Sequence, residues 1–334
     1  MFKYLICINP LGFMYGSAGA FLSPENLVGR SGAKFPPEAA TLSGLFFSVN
    51  KVQELWEQKD LSNDLYVAGP FWAKNDNPEY FYVPIPWTKI IAQNESSEWE
   101  LNNQKWHCGN SELKPDYQWE RINFWDYSAE QIRGNGYAEK VPWHFVSMLH
   151  PHLKNDERCT LKTDDNTKGG LFLEYSVQLD PECCLVYLST HALPNGWYKF
   201  GGENHVVEIN SLKLEDDSPI IELLRQPIKD KFALITPGVW GSNRISKRCP
   251  ENAFSANPDN IKMLTDKPVP YRFRSQGTLG RGRYAVPAGS VYVLDEPINK
   301  SWWEWDEKWF PDEGYSLKKV GCGLCLPVKI QGVN

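Results

Sequence analysis

Two arginines flank a single glycine at Arg281 and Arg283, inside the stretch GTLGRGRYAVPAGSVYVL that spans 277–294. Arginine presents five N–H donors in a rigid fork, and glycine lets the backbone approach a ligand closely because it has no Cβ. An apolar, β-branched run follows and predicts a strand. This order of residues favours an anion-binding loop that is anchored by a strand.

The cationic residues extend over a wider segment. From Arg225 to Arg283 there are twelve Lys or Arg and four Asp or Glu, a local charge of +8 in a chain with net charge −6, so the remainder carries −14. Such segregation creates a local anion-binding face. Phosphates are bound by Arg and Lys, and aromatic side chains stack on unpaired bases. The segment predicts a nucleic-acid site with the candidates Trp240, Arg244, Arg248, Arg272, Arg274, Arg281 and Arg283, interleaved with Tyr271 and Phe273.

Other chemistries fit the sequence less well. GTLGRGR lacks the Lys-Ser/Thr ending of a P-loop, and its glycines miss the dinucleotide-binding spacing. His150 and His152 have no further ligands at a recognised metal spacing, and the serine of AGSVY is not in a G-x-S-x-G motif. No metal or cofactor is expected. Metal-independent RNA cleavage stays open as an alternative, with His205 or His191 as general acid or base.

The elements that must position these residues are mostly strands. Residues 2–8 alternate in polarity, as a half-buried strand does. Prolines then open a predicted helix in FPPEAATLSGLFFSVNKVQELWEQ, where a missing N–H costs nothing. LFLEYSVQLD and CCLVYLSTH follow one another and predict a hairpin. Residues 94–134 are polar, acidic and Trp-rich and predict an irregular insertion. This pattern predicts an α+β fold.

Length and composition place the chain in a broad class. The 334 residues predict about two domains, and 42% apolar with 23% charged residues is typical of a globular protein. The N-terminus predicts a strand and not a signal peptide, and no stretch approaches the ~20 apolar residues that cross a bilayer. We therefore expect a cytoplasmic protein without membrane contact, whose eight cysteines are reduced thiols.

Several motifs occur in an order that is similar to one family. They are NPLGFMYG, KFPPEAATLSGLFFS, LYVAGPFW with YFYVPIPW, FGGENHVV, LITPGVW, RYAVPAGSVYVL and the terminal VGCGLCLPV. Together they resemble subunit three of the Cmr (type III-B) CRISPR effector complexes, which belongs to the RAMP superfamily. The resemblance spans most of the chain outside about 94–165, and PAGSVY and the proline-opened helix are its most specific parts.

The resemblance implies two ferredoxin-like (RRM-like) domains with insertions. We expect the N-terminal domain at 1–165, with the insertion at about 94–134, and the C-terminal domain at 166–334, with basic loops and a Gly-rich final strand. It also implies a non-catalytic ribonucleoprotein subunit that holds the 5′ tag of the CRISPR RNA and joins the large polymerase-type subunit to the backbone RAMP subunit. The residues expected to line the RNA are Arg30, Lys34, Gly201, Gly202, His205, Arg281, Arg283, Gly321 and Gly323.

A second alternative from another class stays open. The acidic, aromatic segment SWWEWDEKWFPDEG, residues 301–314, would dock a protein partner, and the chain would be a structural scaffold without RNA contact.

Overall fold

The structure is a computed structural model. It describes residues 1–14, 35–151, 171–201, 204–241, 246–250, 254, 260–272, 274–275, 278–279 and 282–332. The fold is α+β and consists mainly of strands, as the sequence predicts. None of the described helices is both long and apolar enough to cross a membrane.

The helices and strands follow one another in a simple order along the chain. The α-helices are α1 (Ala39–Gln53), α2 (Gln58–Asp64), α3 (Ala129–Asn135) and α4 (Pro219–Arg225). The first strands are β1 (Tyr4–Pro10), β2 (Val67–Lys74), β3 (Tyr82–Pro84), β4 (Lys89–Ile91), β5 (Ser96–Asn102), β6 (Lys105–Cys108), β7 (Trp119–Arg121), β8 (Ala138–Glu139), β9 (Trp143–Pro151), β10 (Leu171–Leu179), β11 (Cys183–Ser189), β12 (Gly196–Phe200) and β13 (His205–Lys213). The later strands are β14 (Lys231–Leu234), β15 (Trp240–Gly241), β16 (Ser246–Lys247), β17 (Lys262–Leu264), β18 (Val269–Tyr271), β19 (Arg274–Ser275), β20 (Thr278–Leu279), β21 (Arg283–Ala285), β22 (Val291–Val293) and β23 (Cys325–Pro327).

The first sheet has eight strands in the order β12-β13-β1-β11-β2-β3-β7-β8. Its central four, β13-β1-β11-β2, are all antiparallel and have the order 4-1-3-2 of a split β-α-β unit. Helix α1 connects β1 to β2 and covers one face, where the Tyr187 hydroxyl donates to the Pro37 carbonyl at 2.6 Å. In chain order, strand β12 lies between the third and fourth strands of the unit, β11 and β13, where a ferredoxin-like unit has its second helix.

The second sheet repeats this order with shorter strands. Its four strands are arranged β17-β22-β14-β23, which is again 4-1-3-2 with every pair antiparallel. The place of the second helix is taken by three short 3-10 helices, Trp302–Glu304, Glu307–Trp309 and Leu317–Val320. The expected pair of ferredoxin-like units is therefore present as two sheets, each with fewer helices than the standard unit.

The division between the two units lies later than the sequence analysis places it. Strands β11, β12 and β13 pair within the first sheet, so the chain leaves that sheet after Lys213 and enters the second at Lys231. The boundary expected at 165/166 is wrong because residues 75–182 are an insertion between two neighbouring strands, β2 and β11. The hairpin expected between β10 and β11 is wrong for the same reason, since β10 pairs with β9.

The insertion is ordered where an irregular segment is expected. Strands β4, β5 and β6 form a small sheet, and α3 begins with a capping box between Ser128 and Gln131. The Lys89 ammonium donates to both carboxylate oxygens of the buried Glu120, at 3.1 and 3.2 Å. Burial raises the pKa of Glu120 to about 7, although the positive charge and hydrogen bonds of Lys89 act to lower it. This ion pair fixes the small sheet to β7.

Glycines near the C-terminus bring the second unit into contact with the first. Gly321 has φ +74°, and a Cβ there would lie 2.5 Å from the Ala68 Cβ in β2. Gly323 has φ +64° and lies directly against the Trp240 ring. The Thr236 hydroxyl secures the turn by accepting from the Leu324 N–H at 2.9 Å. The expectation that Gly321 and Gly323 line an RNA path is corrected here, because both are buried packing positions.

Two of the family-like motifs contact each other. In PAGSVY, Gly289 has φ +84°, and its carbonyl accepts from the Trp87 N–H of the PIPW motif at 2.8 Å. A Cβ at Gly289 would lie 2.8 Å from the Ile85 carbonyl oxygen. These motifs therefore form a joint between the insertion and the second sheet.

The first prediction tests the packing at Gly321. We expect Gly321→Ala to lower the free energy of unfolding by roughly 2–5 kcal/mol, because the new methyl group meets Ala68 and the left-handed backbone disfavours it. The control is Gly44→Ala in α1, where nothing lies within 4 Å of the added Cβ. That variant should be more stable by about 0.5–1 kcal/mol. Urea unfolding gives both values, and equal stability of Gly321→Ala and the natural chain would contradict the assigned contact.

Candidate nucleic-acid interface

Arg283 is a buried structural residue. It is 6% exposed and forms an ion pair with Glu313, whose side chain is 12% exposed. It stands opposite Tyr271 where β21 pairs with β18. Burial raises the pKa of Tyr271 well above its usual value. The guanidinium group of Arg283 therefore faces the protein interior, which corrects the expectation that it contacts phosphate.

Trp240 is also part of the core. Its ring is fully buried, and its Nε1 donates to the Tyr292 hydroxyl at 3.3 Å. Phe254 and Phe310 pack against it with ring centroids 5.6 and 5.5 Å away. No face of this ring is open to a base, so the expected stacking role of Trp240 is corrected as well.

Two hairpins carry the predicted candidates Arg248 and Arg272 together with Lys247, which the sequence analysis did not name. Strand β15 pairs with β16, and β18 pairs with β21. The Ser246 hydroxyl joins the hairpins by accepting from the Tyr284 N–H at 3.0 Å. We call four residues of this region the basic strip; they are the exposed Lys247, Arg248 and Tyr284 and the half-buried Arg272.

The basic strip has a rigid base. The Tyr292 hydroxyl, which lies in the core, donates to the Arg248 carbonyl at 2.6 Å. Trp240 is the strand partner of Lys247, so the burial of Trp240 holds the backbone from which Lys247 projects. Lys247 and Arg248 are both exposed, and the Tyr284 ring is half exposed. Fixed cations beside an exposed ring can bind phosphate and stack on a base.

Several predicted residues lie outside the described part of the chain. They are Arg30, Lys34, Gly202, Arg244 and Arg281, together with Phe273. For Arg274 the structure describes only the backbone, which pairs with Leu279 between β19 and β20. The expectation that these residues contact RNA stays a prediction.

The hairpin of β12 and β13 carries a second exposed surface that sequence reasoning missed. Gly201 has φ +80° in its turn, and His205 opens β13 opposite Phe200. In β12, Tyr198 and Phe200 face the protein, whereas Trp197 and Lys199 face outward. Trp197 is 74% exposed; among the large hydrophobic residues that the structure describes, only Val52 has a larger exposed fraction. The alternation in GWYKF is the signal that identifies this surface.

A polar depression lies on the same face of the first sheet. Trp197 pairs with Glu208, which in turn pairs with Asn9 in β1, so the three side chains form a row across the strands. Asn9, Asn75, Glu208 and Asn210 line a cavity of about 540 Å³ beside this row. Amide and carboxylate groups of this kind bind donors and acceptors on a base edge.

His191, one of the two histidines considered for catalysis, is held by a hydrogen bond and a ring contact. Nδ1 of His191 lies 2.9 Å from the Thr190 hydroxyl, which donates to the Asp64 carbonyl at 2.7 Å. Because that hydroxyl proton is already used, Nδ1–H of His191 must be the donor. Burial lowers the pKa of His191, and its ring packs edge-on against Trp56. Among the described residues no cluster of three or more His, Cys, Asp or Glu could bind a metal ion.

Comparisons with known proteins give similarity to CRISPR proteins at low sequence identity. No family model and no curated protein matches the chain. It is similar to a chain of the type III-B Cmr-beta complex bound to cognate target RNA, with 13% identity, 86% of each chain covered and a TM-score of 0.46. It is also similar to a chain of the Csm3–Csm4 subcomplex of the type III-A interference complex, with 11% identity, 89% of this chain and 94% of that chain covered, and a TM-score of 0.39. At these values the similarities assign neither a family nor an activity.

The second prediction concerns the Arg283–Glu313 pair. We expect Arg283→Met to lower the free energy of unfolding by about 3–5 kcal/mol, because it leaves Glu313 buried without its cation. The double variant Arg283→Met with Glu313→Leu should recover most of this loss, since no isolated charge remains. Denaturant unfolding of both variants measures the difference. If Arg283→Met had unchanged stability but bound RNA more weakly, Arg283 would contact the RNA and would not be a buried structural residue.

Proposed function

We propose that this protein is a non-catalytic RNA-binding subunit of a type III-B (Cmr) CRISPR interference complex. In this role it holds the 5′ tag of the CRISPR RNA and joins the large polymerase-type subunit to the backbone RAMP subunit. The observation that carries the proposal is the pair Lys247 and Arg248, exposed on a hairpin held by buried Trp240 and Tyr292. The motif order and the two sheets with 4-1-3-2 strand order support the same proposal.

RNA binding at this surface follows from charge and stacking. A single strand loses counterions when lysine and arginine neutralise its phosphates, so affinity falls with salt. Exposed aromatic rings stack on unpaired bases without sequence preference. The basic strip supplies the cations and Tyr284, and the β12–β13 hairpin supplies Trp197 and Lys199.

The protein partners in this proposal need an apolar contact surface. Phe145 and Leu149 are exposed, and because they are four residues apart in β9 they lie on the same face of the strand. The Trp-rich segment is less suited to docking than the scaffold alternative requires, because Trp302, Trp305 and Phe310 are buried. We therefore place the protein contact on the β9–β10 hairpin and not on residues 301–314.

The third prediction tests the basic strip. We expect Lys247→Ala with Arg248→Ala to weaken binding of a single-stranded RNA that carries the guide's 5′ tag. The slope of log K against log salt should become shallower by about 1.4, since each phosphate contact on a single strand contributes about 0.7. Fluorescence anisotropy over a potassium chloride series measures both quantities. The matched control is Lys51→Ala with Lys59→Ala, which removes two exposed charges from α1 and α2.

The same titration separates stacking from charge. Trp197→Ala should weaken binding roughly 5- to 150-fold, the range for one lost base stack, without changing the salt slope. Affinity and slope unchanged in both the strip and the Trp197 variants would contradict the proposed interface. Discrete cleavage of precursor RNA in the absence of metal, lost in His205→Ala, would instead favour the endoribonuclease.

A further inference from the structure

A cavity of about 410 Å³ opens where β14 begins and the chain leaves β23. The Val328 N–H donates to the Lys231 carbonyl at 3.3 Å, which holds the two chain segments side by side. The cavity has the size of a small-molecule site, since such sites range over about 300–1,000 Å³. It lies at the start of β14, whereas the basic strip follows the end of that strand along the chain.

The charge around the cavity is predominantly positive. Lys229, Lys231 and Lys329 line it, together with one carboxylate, that of Asp230. The Lys231 side chain is 15% exposed, and its Nζ lies 3.9 Å from Asp230 Oδ2. Lys329 is 81% exposed and lies 3.7 Å from Asp126, a solvent-screened pair of little strength. A ligand with more than one negative charge would be attracted most, because a partly buried ammonium acts in a medium of lower dielectric than water.

The remaining walls of the cavity are apolar except for Gln226. Pro227 and Ile330 stand beside the lysines, and Gln226, Pro327 and Val328 complete the lining. A charged rim over apolar walls suits a ligand that joins phosphate to a flat or hydrophobic group. We propose that this cavity binds a phosphorylated small molecule of nucleotide size, with its phosphates at the three lysines and its ring along Pro227 and Ile330. This site is separate from the proposed RNA interface and does not rest on it.

The experiment is a calorimetric titration of the full chain with ATP, AMP and inorganic phosphate as probes. We expect saturable binding of one ATP per chain, with AMP weaker and inorganic phosphate weakest, because the phosphate charge and the ring contact both contribute. Lys231→Met should raise the Kd for ATP at least tenfold, and Lys329→Met about threefold. The control is Lys213→Met in β13, an exposed lysine 3.9 Å from Glu215, and it should leave the Kd unchanged.

Three results would overturn the inference. One is the absence of saturable binding by any probe. Another is a Kd for ATP that is the same in Lys231→Met, Lys329→Met and Lys213→Met. The third is full displacement of ATP by single-stranded RNA, which would make the cavity part of an RNA surface. Because Lys329 is exposed, its variant gives a clear result even if Lys231→Met does not fold.

Discussion

The close approach of the C-terminal glycine turn to β2 and to Trp240 is the contact on which the rest of the structure depends. Gly321 lies against Ala68 of the first sheet, and Gly323 lies against Trp240 of the second unit. A side chain at Gly321 would push the units apart, and one at Gly323 would displace the Trp240 ring. Because Trp240 is the strand partner of Lys247, the same contact also sets the position of the exposed cations. Core packing and the candidate RNA surface are therefore linked through one indole ring.

Not all cations in this protein are available to a ligand. Arg283 forms an ion pair with Glu313 in the interior. Lys318 is buried as well; its ammonium donates to the Trp303 and Trp305 carbonyls at 2.8 and 2.5 Å and lies 5.4 Å from the Trp302 ring centroid. Burial lowers the pKa of Lys318. A buried cation of this kind organises the Trp-rich segment around itself, which explains why that segment is packed. Charge counted along a sequence thus overstates the charge that a surface presents.

Sequence reasoning succeeded where the local pattern determines the structure. Strand β1 and helix α1 are present where the local pattern predicts them, although β1 is buried on both faces and not half-buried as expected, because Leu5, Ile6, Cys7 and Ile8 are all buried. Sequence reasoning failed where the structure depends on contact with a residue far away along the chain. Strand β10 has a clear alternating face, but periodicity does not say that β9 is its neighbour. The burial of Arg283, Trp240 and the two glycines depends on contacts with residues thirty or more positions away, which no local spacing encodes.

The central claim is that RNA binds along the basic strip and the β12–β13 hairpin, whereas Arg283 and Trp240 are buried in the protein interior. Photocrosslinking of the purified chain to guide RNA that contains 4-thiouridine, followed by mass spectrometry of the peptides, tests it most directly. The account predicts adducts on Trp197 and on Tyr284 or its neighbours in the strip, with none on Trp240. Adducts on Trp240, or adducts confined to peptides outside both surfaces, would contradict it.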